Sequence, residues 1–181
     1  MRLFMLYRSK VRIVIEMPIL YMTISNLPDP VVATTEYEVL CQVIGAQPPP
    51  EVTWTLDGVE LPVEDPVPRL SNQGNMSTST LLFRPAVKDQ GKTLTCEAKH
   101  EVFQPSQNVS RVLNIYYLPI VHMEIVNDID PSNIGEGSEV LMKCLIQAHP
   151  WVWRILWYKD GEELVPSDHV LIDEHTLRQV K

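Results

Sequence analysis

The chain has 181 residues, 45% of them apolar and 21% charged, which suits one or two domains with buried cores. Its net charge of −8 leaves no basic stripe to displace counterions from phosphates, so nucleic acid is excluded as a partner. No stretch reaches the roughly 20 apolar residues of a membrane-spanning helix, so attachment to a membrane is expected only through a C-terminal segment beyond this sequence.

An internal repeat sets the reading of the N-terminus. Val11 to Ile24, with Met17-Pro18-Ile19 and Met22, matches Val112 to Ile125, with Leu118-Pro119-Ile120 and Met123, at a displacement of 101 residues. Val11 to Glu16 therefore takes the place of a final strand, and residues 1–16 are expected to close a preceding domain. A leader is the alternative. Against it, Arg12, Glu16 and Pro18 interrupt the unbroken apolar run of about 7–15 residues that a secretory leader needs. Residues 17–118 are expected to form one complete unit and 119–181 the first half of the next.

Within 17–118 the predicted elements are strands. Fifteen prolines against seven glycines suit short strands with proline-marked turns. Tyr37 to Val43 alternates with Tyr37, Val39, Cys41 and Val43 inward, and Glu51 to Leu56 alternates with Trp54 inward. Asp57-Gly58 is a hairpin signal. Thr78 to Arg84 follows, then Lys92 to Ala98 with Leu94, Cys96 and Ala98 inward. Arg111 to Tyr117 closes the unit around Leu113 and Ile115. No segment carries a sustained helical period.

Cys41, Trp54 and Cys96 have the spacing of two facing sheets pinned by a disulfide on which a tryptophan packs, the arrangement of an immunoglobulin sandwich. Two buried free thiols, as in an intracellular array, are the other reading. The sequons Asn75-Met76-Ser77 and Asn108-Val109-Ser110 favour an exported chain, and both are predicted on turns or loops. Asp89 is expected either to pair with Arg69 or to be solvated.

Beyond Leu118, Cys144 is followed thirteen residues on by Trp157 and then Asp160-Gly161, as Cys41 is by Trp54 and Asp57-Gly58. The shared pattern is C-x12-W-x2-D-G-x-E-L, displaced by 103 residues. Cys144 has no second cysteine to pair with in this sequence. Trp151, Trp153, Ile155 and Trp157 alternate, which predicts a strand with an aromatic face. The tryptophans either fill the core, Trp157 beside Trp54 in kind, or form a contact patch. His100, His122, His149, His169 and His175 are scattered, and no zinc-ligand spacing, nucleophile elbow or phosphate loop occurs. Asp128, Asp130, Asp173 and Glu174 lack the spacing of a calcium loop. No catalytic site, metal or cofactor is expected.

The motifs Cys41, Trp54, Asp89-x-Gly91-x-x-Leu94-x-Cys96 and Leu113 to Pro119 resemble immunoglobulin domains of the C2-like kind in neural adhesion receptors. Asp130 to Val140, Cys144, Ala148 to Pro150 and Trp157 look most like the Sidestep family, with the nephrin and nectin-like families close. The resemblance implies an all-β chain of immunoglobulin-like β-sandwich domains in tandem, on the extracellular side of the plasma membrane in a single-pass protein. It implies a non-enzymatic adhesion or axon-guidance receptor that binds cell-surface proteins, a Beaten path-like ligand in the Sidestep case, or a second copy of itself. The ectodomain of a receptor kinase or phosphatase and an intracellular structural array are the competing classes. In many such domains a tyrosine stands two positions before the second cysteine and bonds back to the backbone. Here that position is Leu94, so packing alone is expected to hold the turn.

Overall fold

The computed structural model describes residues 16–63, 68–71, 74–130, 132–168 and 170. The predicted strand from Val11, and Asp173, Glu174, His169 and His175, lie outside the described residues apart from Glu16. Contact clustering divides the chain between Asn114 and Ile115, whereas the repeat placed the boundary after Leu118.

The first unit is built from nine strands in chain order: β1 (Met17–Ser25), β2 (Val31–Val32), β3 (Tyr37–Gln47), β4 (Glu51–Leu56), β5 (Val59–Glu60), β6 (Arg69–Leu70), β7 (Met76–Phe83), β8 (Thr93–Lys99) and β9 (Gln107–Val112). Two antiparallel four-stranded sheets result, ordered β1-β3-β7-β6 and β5-β4-β8-β9. Alternation decides which side chains meet between them. Val39, Cys41 and Val43 of β3, Trp54 of β4, and Leu94, Cys96 and Ala98 of β8 are all fully buried. Their odd or even neighbours face water, as the two-residue period of a strand requires. A 3₁₀ turn at Val87–Asp89 is the helical element of the unit, and no α-helix occurs among the described residues.

The closing segment differs from the single strand predicted over Arg111 to Tyr117. After β9 the chain steps inward, so that Leu113 donates its N–H to the Lys92 carbonyl (2.8 Å) and accepts from Gly91 N–H (3.0 Å). Leu113 and Ile115 are buried all the same. β2 is tied to this segment by the Val31 N–H, which donates to the Asn114 carbonyl at 2.9 Å.

The second unit holds β10 (Ile115–Ile125), β11 (Met142–His149), β12 (Tyr158–Lys159) and β13 (Glu162–Glu163). β10 pairs antiparallel with β11, and β12 with β13. The sequence repeat is visible in backbone detail. Leu61 N–H donates to the Trp54 carbonyl and Leu164 N–H to the Trp157 carbonyl, each at 2.8 Å. Asp57-Gly58 and Asp160-Gly161 both take positive φ angles at both residues, as a two-residue hairpin turn of type I′ demands. One difference stands out. Cys41 lies opposite Ile24, but Cys144 lies opposite Met123, the counterpart of Met22, so the register has slipped by two residues.

The aromatic strand predicted over Trp151 to Trp157 does not form, since β12 begins only at Tyr158. Trp153 is 92% exposed and Trp157 is half-buried, so neither fills a core as Trp54 does. From Tyr116 to Val170, Ile146 and Ala148 are the buried apolar residues among the described ones.

Candidate adhesion surface

The disulfide joins β3 to β8 through Cys41 and Cys96, with Cα atoms 6.4 Å apart. Trp54 lies directly opposite Cys96 in the β4–β8 ladder, and its indole N–H donates to Ser79 Oγ at 3.1 Å. That hydrogen bond satisfies the one polar atom the tryptophan brings into the core. Cys144 is a free, half-buried thiol, and burial raises its pKa above the usual thiol value.

Leu94 is fully buried, but packing is not all that holds the turn before it. Asp89, 6% exposed, accepts from the Ala86 N–H at 2.9 Å and from the Lys92 ammonium at 2.8 Å. These are the partners in place of the expected Arg69 or bulk water. Burial alone would raise the carboxyl pKa; the Lys92 hydrogen bond, the Ala86 N–H and the charges of Lys92 and Lys88 outweigh it and lower the pKa. The turn is thus held by a carboxylate where related domains use a tyrosine hydroxyl.

His100 anchors the next turn. Its ring is buried, and Nδ1 accepts from the N–H groups of Val102 (3.1 Å) and Phe103 (3.3 Å). In the sequence His100 is one of five scattered histidines, with no motif around it that marks this role. Asp130 likewise serves its own turn, accepting from the N–H and hydroxyl of Ser132, which lower its pKa.

The two sheets present different outer faces. Across β5, β4, β8 and β9 one row reads Glu60, Thr55, Thr95 and Ser110, and the next Thr53, Glu97 and Asn108. Thr95 Oγ1 and Ser110 Oγ lie 2.8 Å apart, which confirms that they share a side. This face is polar. Across β1, β3 and β7 the outer rows read Tyr21, Ile44 and Met76, then Thr23, Gln42 and Thr78. Tyr21 is 59% and Ile44 37% exposed. An apolar row beside a polar one has the make-up of a protein contact, because aromatic and aliphatic anchors supply affinity and polar neighbours supply fit. An open cavity of about 390 Å³ lies at the end of the unit among Leu56, Val59 and Leu61, rimmed by Arg84, Lys88 and Lys92.

Asn75 is exposed in the turn before β7, and its side-chain Oδ1 accepts from the Ser71 hydroxyl at 3.3 Å. Asn108, predicted on a loop, lies instead within β9.

Residues 22–107 match the family model of a CD80-like C2-set immunoglobulin domain. The matched residues lie within the first unit, which is an immunoglobulin-like β-sandwich. Over longer stretches the chain is similar to Kin of IRRE-like protein 1 of Rattus norvegicus, 28% identical over 131 residues that make up 71% of this chain and 16% of that protein. It is also similar to Cell adhesion molecule 2 of Homo sapiens, 28% identical over 159 residues, 85% of this chain and 35% of that protein. The chain therefore spans well under half the length of the curated relatives it matches. The solved ectodomain of mouse nectin-like molecule 4, with its domains Ig1 to Ig3, agrees with a TM-score of 0.58 at 24% identity, over 85% of this chain and 51% of that one. That agreement supports the immunoglobulin fold. What this stretch is similar to is adhesion molecules rather than enzymes.

Proposed function

We propose that this immunoglobulin chain is part of the extracellular region of a single-pass adhesion receptor that binds proteins on neighbouring cells. The observation that carries the reading is the similarity to Cell adhesion molecule 2, which spans 159 residues and so reaches through the first unit into the second. The disulfide suits an oxidising compartment, where such bonds persist. The apolar row Tyr21-Ile44-Met76 is the contact we assign to the partner. The test is aggregation of beads coated with the full ectodomain, alone and mixed with beads carrying candidate cell-surface proteins. Self-aggregation marks a homophilic receptor. Capture only by a Beaten path-type protein marks the finer Sidestep-like, axon-guidance reading. Native material with reduced Cys41 and Cys96, found inside the cell, overturns the proposal in favour of an intracellular array.

A further inference from the structure

The sequon Asn108-Val109-Ser110 lies on the outermost strand of the polar sheet, and its geometry gives it a use that a loop position would not. Val109 is half-buried, while Asn108 and Ser110 point away from the core, an orientation fixed by the Ser110–Thr95 hydroxyl contact of 2.8 Å. Asn108 is exposed, and its side-chain amide makes no hydrogen bond to another described residue. β9 ends the sheet order, so no strand lies beyond it in its own sheet. A group attached to the Asn108 nitrogen stands on the outer side of the sheet, beside the row Glu97 and Thr53. With strands about 4.8 Å apart, β4 lies about 10 Å from β9, within reach of the first sugars of a branched chain.

The neighbouring chemistry agrees. The face carries Thr53, Thr55, Thr95, Glu97 and Lys99, hydroxyl and charged groups suited to hydrated sugar, and Val112 is its one large exposed apolar side chain among the described residues. The other sequon differs. Asn75 lies in the turn before β7, and its backbone carbonyl accepts from the Gly45 N–H at 2.9 Å, so it stands beside the Ile44–Met76 pair on the other sheet.

We propose that Asn108 carries an N-linked oligosaccharide that covers the outer face of β4, β8 and β9 and leaves the Tyr21-Ile44-Met76 face as the open contact surface. The proposal rests on the extracellular reading above and deepens it. In the transfer step the Asn108 amide nitrogen forms a bond to the anomeric carbon of an N-acetylhexosamine on a lipid pyrophosphate donor. The bond from that carbon to the phosphate oxygen breaks, the lipid pyrophosphate leaves with the electron pair, and the amide loses one proton.

The test exports the full chain, with Cys144→Ser and an added secretory leader, from cultured animal cells. Enzymatic removal of N-linked sugar is expected to increase gel mobility, with Asn108→Gln and Ser110→Ala each removing the same part of that shift. Lys99→Cys, diagonal to Asn108 on the covered face, is then labelled by a bulky polymer maleimide several-fold faster once the sugar is absent. Leu82→Cys, on the opposite face, is labelled equally in both states. Unchanged mobility in Asn108→Gln, or equal Lys99→Cys labelling with and without sugar, overturns the proposal. Because the leader forces export, that result leaves the adhesion reading untouched. Sugar at Asn108 in a chain that aggregates no beads counts against the adhesion reading alone.

Discussion

Replacing Asp89 with asparagine tests the claim that a carboxylate holds the turn in front of the second disulfide strand. The asparagine oxygen can still accept from the Ala86 N–H, but as a neutral group, and a hydrogen bond to a charged group is about twice as strong. That change costs about 1 kcal/mol. The Lys92 pair is lost as well. Because Lys92 is one-third exposed, solvent screening holds its share to about 0.5–1 kcal/mol. The sum is about 2 kcal/mol, which lowers the melting temperature of a domain of about 100 residues by roughly 8–16 °C. The pH dependence gives a second handle. The folded-state pKa of Asp89 is lowered, so its contribution is complete above the unfolded-state value of about 3.9 and disappears as pH falls through the folded value. Urea denaturation followed by tryptophan fluorescence should therefore show wild type and Asp89→Asn converging as pH is lowered from neutral through the folded-state value. A stability loss under about 0.5 kcal/mol at neutral pH, or a gap that stays constant on acidification, would refute the assigned role.

Further outcomes follow from the same structure. Trp54→Ala, at a site with no solvent exposure, should cost about 3–5 kcal/mol in denaturant titration. Trp153→Ala, at 92% exposure, should change stability by less than about 0.5 kcal/mol. Reducing the Cys41–Cys96 bond, which spans 55 residues, should remove roughly 4 kcal/mol on the chain-entropy treatment, read as the shift in urea midpoint with and without reductant. Gly45→Ala, at φ +89° with the Pro18 carbonyl oxygen 2.6 Å from the new carbon, should lose at least about 1–3 kcal/mol through crowding. Cys144 should react with maleimide more slowly than an ordinary thiol at neutral pH and accelerate as pH rises, since burial keeps it protonated. The second unit should exchange amide hydrogens well before the first, because from Tyr116 on its described residues bury only the apolar side chains of Ile146 and Ala148.

The inward set of the first unit was legible because each strand has a strict period and both faces differ in polarity. Val39, Cys41, Val43, Trp54, Leu94, Cys96 and Ala98 follow from alternation alone. The turns were legible where glycine follows aspartate. What alternation could not supply was side-chain bonding to backbone across a bend. Asp89 and His100 are polar residues buried for the sake of nearby N–H groups, and nothing in their sequence neighbourhood separates them from solvated ones. Trp151 to Trp157 failed for a different reason. A two-residue period signals a strand only if a neighbouring strand takes up its backbone, and no described strand pairs with Trp151 to Leu156. Asn108 was placed on a loop because a sequon carries no register; only the β8 ladder puts it on a face.

The two-residue slip between the paired ribbons of the two units has a consequence for how duplicated copies can diverge. A shift of one position would have turned every core-directed side chain of the strand outward, and the copy would have been lost. A shift of two moves the strand by one full pleat, so residues that share a face go on sharing it. Insertions and deletions in the connecting loops can therefore accumulate in such arrays as long as their net effect on the ladder is even, which frees the loops to vary while the sandwich keeps its sides.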